Sequence, residues 1–155
     1  MHLRALLIMI MILLTCSLDV HAAKKADDHE AFAGLKTAKV IFDVRVAELD
    51  KLVFNLKLFN ETLEGMVAQG IKPEMIVAFR GPGVKLLTVT ALDEEAVALF
   101  QALRKKGVRF EACAVAMRVF KADPNGLIPE VTLVANVFNS FIGYQNKGYA
   151  MIAIN

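Results

Sequence analysis

From Lys36 to Asn155, short apolar runs rich in β-branched residues alternate with segments of helical period, and this alternation confines the chain to an α/β fold around a mostly parallel sheet. Lys39-Val40-Ile41-Phe42-Asp43-Val44 is short and apolar enough for a strand buried on both faces. Leu49, Leu52, Val53, Leu56, Phe59, Leu63, Met66 and Val67 then recur every three or four positions, so they share one side of a long helix that Gly70 stops. Glu74 to Phe79 reads as a second strand, broken by Arg80-Gly81-Pro82-Gly83. Asp93-Glu94-Glu95 supplies a cap and an acidic first turn for a helix whose apolar side holds Ala96, Val97, Phe100 and Leu103, and Gly107 turns the chain into Val108 to Ala112. A helix from Cys113 to Phe120 ends at Asp123-Pro124-Asn125-Gly126. A strand from Val131 to Ala135, a helix from Val137 to Asn146 and a strand from Tyr149 to Ile154 complete the series. The expected architecture is a three-layer α/β/α sandwich with a mostly parallel five-stranded sheet, its topology restricted by right-handed crossovers.

The N-terminus follows different rules. Arg4 precedes an unbroken apolar run from Ala5 to Leu14, and Val20-His21-Ala22 carries the modest residues of a cleavage site. Residues 1–22 therefore read as a signal peptide removed after Ala22, which predicts an exported, periplasmic protein with no stable membrane span after cleavage. A rival reading makes Leu13-Leu14-Thr15-Cys16 a lipoprotein site, with the protein lipid-anchored through Cys16. Residues 23–35, AKKADDHEAFAGL, are charged and alanine-rich and form a flexible leader or a short surface helix, so the folded domain is placed at 36–155. The about 130 residues left by cleavage suffice for one compact domain.

Cleavage removes Cys16, His2 and His21 and leaves Cys113 and His29. One cysteine forms no intramolecular disulfide, and one histidine in the leader supports neither a zinc site nor a Cys-His hydrolase dyad, so no metal and no cofactor is expected. The net charge of +2, spread evenly along the chain, argues against nucleic acid as a partner. Gly81-Pro82-Gly83 lacks the glycine spacing of a dinucleotide site, and its proline removes an amide donor.

Ligands of open α/β sheets bind beyond the carboxyl ends of the strands, where three loops should meet: Asp43 and Arg45, Arg80 to Gly83, and Cys113. Cys113 stands where a strand hands over to a helix, a place whose unpaired amides favour a thiolate or a persulfide anion. It is the candidate nucleophile. Arg80, Gly81 and Gly83 are the candidate substrate-binding residues, with Arg118 as a second source of positive charge. The bland readings are a packed Cys113 and a plain turn at Gly81-Pro82-Gly83. Asp43 and Arg45 are taken as solvated strand-end charges outside the site, and Phe138, Phe141 and Tyr144 as core or subunit-contact residues.

The segments Phe79-Arg80-Gly81-Pro82-Gly83-Val84, Leu103-Arg104-Lys105-Lys106-Gly107-Val108-Arg109-Phe110-Glu111-Ala112-Cys113 and Gln145-Asn146-Lys147-Gly148-Tyr149-Ala150 resemble the DsrE/DsrF-like family. The resemblance covers nearly all of the chain after the leader. It implies a three-layer domain assembled as a trimer or hexamer, and, because Cys113 matches the family's cysteine, a sulfur carrier or sulfurtransferase that holds a persulfide and works with a sulfur donor or acceptor protein. Two departures set the chain apart: the export signal, and Arg80 where many relatives have histidine. The alternative function is a non-enzymatic oligomeric module that binds a small anion or a protein partner.

Overall fold

A computed structural model of the chain describes residues 26–155. The signal-peptide reading of 1–22 and the lipidation reading of Cys16 lie outside these residues. A one-turn helix α1 (His29–Phe32) leads into β1 (Thr37–Val44), α2 (Leu49–Ala68), β2 (Lys72–Phe79), a 3-10 segment (Gly81–Leu87), α3 (Glu94–Lys105) and β3 (Arg109–Cys113). Then follow α4 (Ala114–Phe120), a short turn (Pro124–Gly126), β4 (Val131–Val134), α5 (Val137–Gln145) and β5 (Ala150–Ile154). The five strands are all parallel, in the order β4-β3-β2-β1-β5. This is the expected α/β fold with no antiparallel member.

The strand order explains the layers. Successive steps from β1 to β2 to β3 run in one direction, so right-handed crossovers put α2 and α3 on the same face, where they pack together. The step from β4 back to β5 runs the other way and carries α5 over the opposite face. Side-chain parity agrees. Phe42 of β1 stacks on Phe59 of α2 at 4.4 Å between centroids, and Phe110 of β3 meets Phe100 of α3 at 4.7 Å. The neighbours of Phe110 along the strand, Arg109 and Glu111, instead meet Tyr144 of α5.

Local signals place the helix ends. The Asp93 carboxylate accepts the Ala96 amide at 2.8 Å and starts α3. Gly70, at φ 78°, stops α2 in the left-handed turn that a side chain disfavours, and the Ile71 amide returns to the Met66 carbonyl. The periodic face of α2 is buried through Leu52, Val53, Leu56, Phe59, Leu63 and Met66, as its spacing predicts, while Leu49 is half-buried and Val67 is exposed. Phe59, Phe79, Phe100 and Phe110 are the largest fully buried side chains, each contributing about 1.5–3 kcal/mol by burial. Before β1, Phe32 of α1 rests half-buried on this core.

Polar contacts hold α5 and the start of β5 to the sheet. The Tyr144 hydroxyl donates to Glu111 at 2.8 Å, and the Tyr149 hydroxyl donates to Glu74 at 2.9 Å while accepting from Arg109 at 3.1 Å. The Arg109 guanidinium lies 5.1 Å from the centre of the Tyr144 ring. Burial, then the hydrogen bond to a carboxylate, raises the pKa of both phenols above the ordinary value. A raised folded-state value means stability that is complete below the unfolded phenol's pKa of about 10 and is lost as pH rises through the folded values. The urea midpoint is therefore expected to fall on titration above pH about 10, and the Tyr144→Phe, Tyr149→Phe double variant to decline less steeply. Equal slopes for the two proteins would remove the phenols from the alkaline transition.

Candidate functional site

At the carboxyl edge four of the five strands lead to a residue that lines the same cleft. β1 delivers Arg45, β2 delivers Arg80, β3 ends on Cys113 itself, and β4 runs on to Asn136. The cleft has a volume of about 340 Å³ and is walled by Gly81, Pro82, Val115, Val119, Phe120, Val137 and Phe138. Three of these four loops were expected to meet here. The fourth, between β4 and α5, is absent from that expectation, and it leads to the amide that donates to the sulfur.

Cys113 is 4% exposed and is the free cysteine of the described residues. It is the residue before α4, in extended conformation, and its side chain caps no amide of that helix. Its Sγ instead accepts from the backbone amide of Val137, the first residue of α5, at 3.5 Å. Asn136 makes this possible by capping α5, its Oδ1 accepting the Phe138 amide at 3.0 Å. The helix end that reaches the sulfur is therefore not that of the helix following the cysteine, as the sequence suggested. β3 aims Cys113 at the α5 face by the same parity that sends Arg109 and Glu111 there.

Asp43 is the main correction. It is 4% exposed rather than solvated, and its two carboxylate oxygens accept from Arg80 Nε and Nη2, each at 2.7 Å. β1 and β2 are adjacent, and the Arg80 amide extends their ladder to the Val44 carbonyl, which brings the two side chains into bidentate register. The Arg80 pKa is raised above its ordinary value, chiefly by the hydrogen bond to Asp43; burial opposes this, and the charges of Asp43 and Cys113 add to it. Arg80 also lies 5.4 Å from the centre of the Phe138 ring, which is exposed rather than part of the core. Its charge is thus already balanced and its position fixed.

The other expected residues divide. Gly81, at φ 65°, lines the cleft. Gly83 is buried, and a Cβ there would collide with the backbone carbonyl of Val46, so its place in the fold is a close approach of the 3-10 segment to the β1–α2 connection. Arg118 is exposed and away from the cleft lining, and His29 lies in α1. Arg45, set aside on sequence grounds, stands at the cleft mouth, and among the described residues its side chain joins no ion pair. Among those residues no cluster of His, Cys, Asp and Glu is suited to a metal ion. The arrangement provides one sulfur nucleophile with an amide donor, an apolar wall, one neutralised guanidinium and one guanidinium without an ion-pair partner among the described residues.

A model of the DsrE/DsrF-like family matches residues 24–154. Among solved structures, a protein of unknown function from Methanobacterium thermoautotrophicum, MTH1491, is similar with a TM-score of 0.63 at 21% identity, over 76% of this chain and 99% of that one. That likeness is one of fold. No curated protein matches the chain.

Removing the Asp43 carboxylate leaves Arg80 without its partner, so Asp43→Ala is expected to cost about 3 kcal/mol of unfolding free energy in urea, at the low end for buried pairs because Arg80 is partly solvated. Gly83→Ala, which forces the 3-10 segment away from Val46, is expected to cost about 1–3 kcal/mol. An Asp43→Ala protein as stable as the parent would show that the pair adds nothing to the fold.

Proposed function

This chain belongs to the DsrE/DsrF-like family, a family associated with sulfur relay, and we propose that it is an exported sulfur carrier or sulfurtransferase that holds sulfur as a persulfide on Cys113. The observation that supports this reading is the placement of a single cysteine sulfur on a cleft at the carboxyl edge of the sheet, under the Val137 amide. In the reaction, the Cys113 thiolate attacks the outer sulfur of a donor, the donor's sulfur bond breaks, and its remainder leaves with the bonding pair. An acceptor thiolate later attacks the outer sulfur and Cys113 leaves as thiolate. The Val137 amide donates to Sγ and so stabilises negative charge there in both steps. Val115, Val119 and Phe138 form the apolar side of the cleft, and the Asp43–Arg80 pair holds the loop that carries Gly81 and Pro82.

The proposed export to the periplasm is supported by the apolar run and cleavage pattern of residues 1–22, which read as a signal peptide. Assembly into a trimer or hexamer is part of the same proposal: β5 is an edge strand whose Met151 and Ile152 are nearly half exposed, apolar and uncharged, the kind of edge that folded proteins cover. Among the described residues no helix is long and apolar enough to cross a membrane.

The 4% exposure of Cys113 favours a second reading, a non-enzymatic binding module in which the cysteine is packed. Treating the reduced protein with polysulfide decides between them. The expected result is one added sulfur on Cys113 by mass spectrometry, absent in Cys113→Ser and passed on to an acceptor thiol. A native protein that stays unlabelled while its denatured form reacts would establish the packed reading.

A further inference from the structure

We propose that the donor taken by this cleft is a monoanionic sulfane compound with an apolar body, an aryl or alkyl thiosulfonate being the simplest, and that Arg45 receives its charged end; this rests on the persulfide reading of Cys113. Charge balance leads to that class. Arg80 brings no net charge, because Asp43 neutralises it through two hydrogen bonds. Arg45 is the cleft cation without an ion-pair partner among the described residues, so it can meet one negative charge of a donor, while the Val137 amide serves the Cys113 sulfur. A second negative charge on the donor would find no cation of its own in the cleft lining and would face the apolar side chains of Val115 and Phe138. A single charge can sit at the mouth on Arg45 while an apolar group covers these walls.

Size points the same way. A cleft of about 340 Å³ holds about ten waters at roughly 30 Å³ each, whereas a bare sulfur oxyanion displaces only a few of them. A ring or a short alkyl chain fills the remainder and can lie against the exposed face of Phe138. With a thiosulfonate, R–SO2–S⁻, the Cys113 thiolate attacks the terminal sulfur. The new Sγ–S bond forms as the bond between the two donor sulfurs breaks, and the sulfinate R–SO2⁻ leaves with the electron pair. Two negative charges enter and two leave, one on the persulfide and one on the sulfinate, with no outside oxidant or proton.

Single-turnover loading of the reduced protein tests the class, with benzenethiosulfonate and thiosulfate compared by the rate of sulfur addition to Cys113 over a range of donor concentrations. Benzenethiosulfonate is expected to reach half-maximal rate at a concentration about tenfold lower than thiosulfate, the size of effect that partial burial of an aromatic ring supplies. Arg45→Ala is expected to raise that concentration about tenfold with little change in the limiting rate, and Arg45→Lys to recover most of the loss. Equal or better loading by thiosulfate, or an Arg45→Ala protein with an unchanged concentration dependence, overturns the donor class while the persulfide reading stands, provided polysulfide still loads Cys113. Failure of polysulfide as well overturns both.

Discussion

A parallel sheet covered on both faces imposes alternation on every central strand, and the organisation of this protein follows from how β3 meets that demand. Its residues cannot all face one layer. Phe110 and Ala112 are buried on the side of α2 and α3, and Arg109, Glu111 and Cys113 turn to the side of α5. The same five-residue strand therefore contributes an aromatic to the main core, a carboxylate and a guanidinium to the contacts that hold α5, and a sulfur to the edge. A slip of one residue would bury Arg109 against Phe100 and move the sulfur to the wrong layer.

The second organising contact is electrostatic. Asp43 interrupts an apolar strand with a charge that burial would make costly on its own, and Arg80 offsets that cost through two short hydrogen bonds in a fixed geometry. A lysine could not replace it, since the planar fork is what matches both carboxylate oxygens. Because the ion pair spans the carboxyl ends of β1 and β2, it fixes the loops that frame one side of the cleft while adding no net charge to it. This leaves the electrostatics of the cleft to Arg45 and to the sulfur.

Much of the fold was legible in local pattern. The apolar spacing of α2, the Asp93 cap, the Gly70 stop and the alternation in β3 act over a few residues, and the structure places each where the spacing put it. The site was only half legible because its contacts are distant in sequence. Asp43 finds Arg80 across a strand pair, and Cys113 finds the Val137 amide across a whole helix-turn-strand unit. Asp43 did carry a signal, since a carboxylate inside a run of β-branched and aromatic residues demands a partner, and treating it as a solvated strand end missed that. Gly83 carried none: its collision partner is a backbone oxygen of another connection, which no side-chain pattern records.

The pairing of β1 with β5 bears on how the chain reaches this state. Val40 to Val44 sit next to Ala150 to Ile154 in the finished sheet, so an early strand keeps one side of its hydrogen-bond ladder open until the strand that comes last in sequence arrives. Such a contact joins distant parts of the chain, and closing the intervening loop delays the reward. During synthesis, β1 to β4 can assemble as they emerge in order, but β1 gains its second neighbour only when Ala150 to Ile154 are free to fold. The sheet thus gains its β5 edge only after the other four strands are available, and a change in Ala150 to Ile154 would be felt first at the oldest strand.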